Sequence, residues 1–184
     1  MRVSLVSGAQ HEFVQDDGEV GARNLGRINP DTVFEDPVLV VHTPPSVTTF
    51  RTKEIVRLDF GGSNPPEWAH APGVRSVQEM SSTEFDSELS RFHRDPTVLE
   101  SAVDGEVVAL IQLELEDGAV MHLRVETQAA PEALHARLFR DLLQRTHLLV
   151  RSGEHAILIN PARVCSVTAV PGPSAIGYAD LLAR

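Results

Sequence analysis

The residues of this chain best suited to chemistry are one cysteine, eight histidines and several adjacent carboxylates, and their spacing limits what they can do. Cys165 lies between Val164 and Ser166 in an apolar run. A nucleophilic cysteine needs its thiolate stabilised by a cation or a helix N-terminus, and burial in a strand has the opposite effect. Cys165 therefore reads as a core residue. The histidines stand at 11, 42, 70, 93, 122, 135, 147 and 155. None is spaced HxxxH or HxH, the patterns that set two imidazoles on one face. Only through space could His122, His135, His147 and His155 meet. Asp16-Asp17 and Glu35-Asp36 fall in loop sequence, where carboxylates are ordinarily solvated. There is no GxSxG, SxxK, GxGxxG or P-loop pattern, and Gly18, Gly21 and Gly26 lack the strand before and helix after that a dinucleotide site requires. The sequence thus assigns no catalytic residue, no cofactor and no metal; an enzyme would need a site assembled through space.

Charge narrows the partners. The net charge is −10, and residues 61–109 hold nine acidic against three basic side chains. Nucleic-acid affinity rests largely on Lys and Arg neutralising phosphates, so the balance disfavours a phosphate-binding surface. One cysteine excludes an intramolecular disulfide and fits a reducing cytoplasm. The first residues, MRVSLVSGAQHEFV, show no basic segment followed by a sustained apolar one, and no run reaches the ~18 apolar residues of a membrane span. The expectation is a cytoplasmic protein without a membrane anchor. Its Ala, Val and Arg content is bacterial in character.

Mainly short strands are needed to position these residues. Residues 2–15 alternate on either side of Gly8 and predict a hairpin; 16–36 reads as a connection with at most one turn of helix. A second hairpin is predicted from Pro37–Val41 and Val47–Phe60. Residues 61–80, with three Gly and three Pro, read as a linker or long surface loop. Ser81–Arg94 predicts a short acidic helix, with Ser81 and Glu84 spaced as a capping box. Glu106–Val125 predicts a third hairpin turning at Glu116-Asp117-Gly118, and Pro131–Arg145 a helix with a Leu134, Leu138, Leu142 stripe. The longest β-patterned stretch is His147–Val170, a hairpin whose return strand breaks at Asn160-Pro161.

The chain also repeats itself. Residues 38–60 lie over 147–169 without a gap, at an offset of 109, and nine positions are apolar in both copies. The preceding hairpins fall close to the same register, Gly8 being one residue from Gly118. Repetition of both order and pattern predicts two related β units. The units are residues 1–60 and 106–170, separated by a loop and acidic helix over 61–105 and followed by a tail, 171–184. The expected fold class is mainly β with α: two small antiparallel, barrel-like halves with one or two short helices.

Two resemblances follow from these residues. LELEDGAVMHLRV and INPARVCSVTAV, with VSLVSGAQHEFV and TFRTKEIVRLDF in the first half, resemble the strands of Sm-like small β-barrels, a family that includes Hfq. That resemblance implies a barrel fold and a tendency to assemble edge to edge. The basic and aromatic cluster with which the family contacts RNA is absent from both copies. Residues 113–167 resemble the LytTR type of bacterial DNA-binding domain, with Ile159 and Asn160 in its recurrent strand pattern. It implies that Arg137, Arg140, Arg145, Arg151 and Arg163 could face phosphate.

The function expected from the sequence is a non-enzymatic adaptor, scaffold or regulatory subunit acting through protein contacts, as a homo-oligomer or in a larger complex. A nucleic-acid-binding regulator of LytTR-like or Sm-like type is the alternative, and an enzyme the second. Candidate partner-binding residues are Trp68, Phe85, Arg137, Arg140 and Tyr178, of which Trp68 could equally pin its loop onto the domain. Strand edges at 38–42 or 147–151 could extend a partner's sheet, and the acidic segment 79–106 could meet a basic partner.

Overall fold

Among the described residues the chain forms eleven strands, most of them from alternating apolar residues between turns. The computed structural model describes residues 1–15, 18–43, 45–62, 67–70, 72–94, 107–127 and 144–170. In chain order the elements are β1 (Arg2–Leu5), β2 (Gln10–Glu12), α1 (Gly18–Leu25), β3 (Val38–Thr43), β4 (Ser46–Arg51), a 3-10 turn (Thr52–Glu54) and β5 (Ile55–Phe60). They continue with β6 (Val74–Met80), α2 (Ser82–Arg94), β7 (Val107–Leu115), β8 (Val120–Thr127), β9 (Leu148–Ser152), β10 (His155–Ile159), a second 3-10 turn (Pro161–Arg163) and β11 (Val164–Val170). The predicted helix over 131–145, except its last two residues, and the tail 171–184 lie outside the described residues.

Nine strands form one mixed sheet in the order β11-β7-β8-β6-β9-β10-β5-β1-β2, and β3 and β4 form a separate two-stranded sheet. The fold is mainly β, as expected, but the halves are not closed barrels. β2 does not pair with β3 among the described residues; α1 and the segment after it lie between them in the chain. In the second half β6 is inserted between β8 and β9, antiparallel to one and parallel to the other.

The two halves nevertheless pair their strands alike. Leu5 N donates to Ala9 O at 2.9 Å and Gly8 N to Leu5 O at 2.8 Å; Leu115 N donates to Ala119 O and Gly118 N to Leu115 O, both at 2.9 Å. Gly8 and Gly118 have φ of 80° and 82°, a left-handed conformation that favours glycine. β1 pairs with β5 and β7 with β11, both antiparallel. Each pair carries one bulge, opposite Ser4/Leu5 in the first and Glu114/Leu115 in the second, so Val56 and Cys165 are the extra residues. Val6 N donates to Glu54 O at 2.9 Å and Glu116 N to Arg163 O at 3.0 Å, tying each hairpin turn to its 3-10 turn. These correspondences all run at an offset of 109 or 110.

β5 and β10 join the halves, pairing antiparallel from Ala156 opposite Phe60 to Ile159 opposite Arg57. Because side chains alternate across a strand, the junction feeds two cores. Ala156 and Leu158 enter the first core with Val3, Phe50, Ile55, Leu58 and Phe60. Ile157 and Ile159 enter the second with Ile111, Leu113, Met121 and Leu123, and the bulge residue Val56 crosses from β5 to join them.

Several sequence expectations are corrected. Residues 61–80 are not simply a linker, since 74–80 form β6; only Val77 of this strand is buried, so backbone pairing rather than apolar patterning makes the strand. The connection 16–36 holds the eight-residue helix α1 rather than one turn. The return strand 47–60 is divided by the 3-10 turn at Thr52–Glu54. Cys165 is exposed, not a core residue, because the bulge interrupts the alternation that would have turned it inward.

Asn160 fastens the junction. Its Nδ2 donates to Ile55 O at 3.0 Å, its Oδ1 accepts from Ala162 N at 3.1 Å, and its backbone N donates to Val56 O at 2.9 Å. Asn160→Ala would strand a buried carbonyl and uncap the turn, which should cost about 1–3 kcal/mol; the urea midpoint of the variant measures it, and an unchanged midpoint would remove Asn160 from this role.

Candidate functional site

Two features of the fold can meet another molecule: a cleft where β2 and β3 part, and the outer edges of β4 and β11. The cleft has a volume of about 1060 Å³ and is lined by α1, β2, β3 and the end of β5. Phe13, Leu25, Leu39 and Val41 supply apolar wall; Arg2, Glu12, His42, Asp59 and His155 supply polar groups. Asp59 and Arg57 share one face of β5 because they are two residues apart. Their side chains are each 16% exposed, and Arg57 Nε faces Asp59 Oδ2 at 3.5 Å. At that distance the contact is an ion pair, and both atoms are buried without a hydrogen bond. Burial holds the Asp59 carboxyl above its ordinary pKa, an effect that Arg57 and then Arg2 partly offset. Exposed His155 packs so closely on Gly61 that a Cβ there would lie 2.6 Å from the imidazole. The group resembles a buried structural pair more than a nucleophile–base arrangement, since a carboxylate and a guanidinium here neutralise each other.

Among the residues expected to contact partners, Trp68 is half-buried, its ring edge-on to Phe60 at 5.1 Å between centroids, and its carbonyl accepts from Arg151 at 3.4 Å. It pins its segment to the first core. Phe85 is buried on α2 against the His122 ring, centroids 4.6 Å apart. The capping box that starts α2 is formed: Glu84 N donates to Ser81 Oγ at 3.2 Å and Ser81 N to Glu84 Oε2 at 2.9 Å. Arg137, Arg140 and Tyr178 lie outside the described residues.

The histidines are dispersed. His122 packs on Phe85, His155 on Gly61, and His147 lies 3.5 Å from Asp31; His135 is outside the described residues. Among the described residues no three His, Cys, Asp or Glu side chains gather as metal donors. Several arginines carry carboxylate partners: Arg124 with Glu126, Arg163 with Glu116 and Arg91 with Glu88. Asn160 is occupied as a cap and junction residue rather than facing outward.

Of the two expected strand edges, the one at 38–42 is present, since β3 pairs only with β4 among the described residues; the other is not. β9, covering 148–152, is not an edge, for it pairs with β10 on one side and β6 on the other. β4 pairs only with β3, and β11 only with β7, among the described residues. β11 has seven residues and no charge; β4 has one charge, Arg51. Sequence reasoning also missed Arg57, Asp59 and the Val40–Val47 surface. A charged pair two residues apart inside IVRLDF was the available signal for the first. The exposed valines had none, because β-branched residues suit either face of a strand.

No described helix is long and apolar enough to cross a membrane. Two titrating groups give opposite pH effects. Asp59, with its raised pKa, adds stability below its unfolded pKa that is lost as pH rises through the folded value; Asp59→Asn should gain in urea midpoint relative to the parent on passing from about pH 4 to 7, and a constant difference would dispose of the burial effect. Burial lowers the His147 pKa, with Asp31 opposing and Arg145 assisting. Its contribution is present above the unfolded value of 6.5 and is lost as pH falls through the folded one. His147→Gln should flatten that acid-side loss. Set against protein-family models, curated proteins and solved structures, the chain matches none of them.

Proposed function

We propose that the chain is a non-enzymatic adaptor, scaffold or regulatory subunit of the bacterial cytoplasm, built from two copies of one small β unit of Sm-like type and acting by protein contacts at its sheet edges. The observation that carries this reading is β11, a seven-residue uncharged strand with one partner among the described residues. An exposed, uncharged edge is a template for another strand, and proteins that leave such edges free usually guard them with charge, proline or brevity. β4 presents a second edge of similar composition. Backbone hydrogen bonds supply affinity in strand addition, while side chains that alternate across the sheet supply selectivity.

Duplication is supported by the shared bulges, turn hydrogen bonds and 3-10 turns at offsets of 109 and 110. The correspondence includes backbone features that residue identity does not dictate, such as the extra residue at Val56 and at Cys165. The nucleic-acid alternative receives less support. Arg124, Arg163 and Arg91 already face carboxylates, and a phosphate would have to displace them. An enzyme would have to use the cleft, whose buried carboxyl, Asp59, is paired with Arg57.

The test is affinity purification of the intact chain from its source cells, combined with light scattering. A stoichiometric complex, with itself or with a second protein, is expected, and a substitution on the β11 edge should abolish it. A monomer that retains no stoichiometric partner would overturn the proposal.

A further inference from the structure

The outer face of β3–β4 has a counterpart inside the same chain. At an offset of 109, β3 and β4 correspond to β9 and β10, and β5 corresponds to β11. On the inward face the match is direct: Leu39, Val41 and Phe50 pack against the first core as Leu148, Val150 and Ile159 pack in the second. On the outward face the two hairpins diverge. Leu149 and Ala156 are 3% and 0% exposed because they cover the first core across the β10–β5 junction. Their counterparts Val40 and Val47 are 45% and 58% exposed.

The other side of the junction shows the same mismatch. Val56 is fully buried, inserted from β5 into the second core; its counterpart Cys165, at the equivalent bulge of β11, is exposed. Leu58 and Phe60 are fully buried, whereas their counterparts Val167 and Ala169 are only partly covered. Both surfaces that the internal junction buries are therefore present a second time, less covered, on β4 and on β11 among the described residues. β11 carries no charge and β4 only Arg51 at its end, so little keeps these edges solvated.

Resting on the duplicated-unit reading, we infer that the occupant of these edges is a second copy of this chain, with β4 of one copy pairing antiparallel with β11 of the next in the register of the internal junction. That register sets Val47 opposite Ala169, Thr48 opposite Thr168, Thr49 opposite Val167 and Phe50 opposite Ser166. Arg51 takes the place of Asn160, beside Cys165. Val40, Val47 and Thr49 cover the second core of the neighbour, and Cys165 of that neighbour enters the first core beside Leu39 and Val41. The contact joins two different surfaces, so it leaves β11 free on one copy and β4 free on the other, and repetition gives a ring or a filament rather than a closed dimer.

Val47→Asp and Cys165→Asp test this, because both positions are exposed in the single chain and the substitutions should leave its thermal unfolding unchanged. The purified parent chain should scatter light as a defined multimer. Each variant alone should be a monomer, one lacking a usable β4 and the other a usable β11. Mixed in equal amounts, they should form a dimer and stop there, because one intact contact remains per pair. Cys165→Val should retain the multimer, and alkylation of Cys165 in the parent should slow at least tenfold as the chain concentration is raised through assembly. A parent monomeric at 100 μM (on the order of the concentration that separates weak from stable contacts), a mixture that stays monomeric, or alkylation independent of concentration would overturn the inference. If purification from cells recovers a different protein on β11 while the pure chain is monomeric, the self-pairing fails and the adaptor reading stands; if neither occurs, both fail.

Discussion

The pairing of β5 with β10 is the contact on which the rest of the structure depends. Without it the sheet would divide into β5-β1-β2 and the six strands from β11 to β10, each with a row of unpaired amides and an apolar face in water. Joining β5 to β10 converts two partial sheets into the nine-stranded one. It also lets each strand contribute to both cores: Ala156 and Leu158 face one way, Ile157 and Ile159 the other. The cores are thus coupled through shared strands, and a cavity opened beside one would be felt in the other, since close-packed interiors transmit strain.

Polar groups at this junction are placed where apolar packing leaves strand backbone to satisfy. Asn160 serves the carbonyl of Ile55 and caps the turn that starts β11. Thr52 is buried in the equivalent turn of the first half and its hydroxyl donates to the Asp36 carbonyl. The two 3-10 turns are therefore held by different side chains, Thr52 within its own half and Asn160 across the junction.

Much of this architecture was legible from the chain. The strands around Gly8, Gly118 and Gly153 follow from alternation and glycine turns, and the break at Asn160-Pro161 follows from a proline that cannot donate to a ladder. The acidic helix was readable from its capping box. What could not be read depends on partners distant in sequence. β6 has one buried side chain and becomes a strand only because β8 and β9 flank it. Cys165 looked internal by alternation, and a bulge paired with Leu115 and Glu114 reversed it. The cleft exists because β2 and β3 fail to pair, a gap between two elements that no local pattern records. Asp59 and Arg57 were visible as a pair on one strand face, but their burial needed the second unit on top.

The insertion of β6 has a consequence for the order in which the molecule can be assembled during synthesis. β6 precedes both of its neighbours in the chain, and its long-range pairings are with residues 122–127 and 151. A chain emerging N-terminus first exposes this strand, along with α2, for the time needed to make some seventy further residues, when its one buried side chain, Val77, has no core to enter. Its sparse hydrophobicity is then an advantage, since polar strands waiting for partners aggregate less readily than apolar ones. The second unit also cannot be excised at residue 105 without losing an internal strand of its own sheet, so the physical boundary between the units lies upstream of β6, in the segment that carries Trp68.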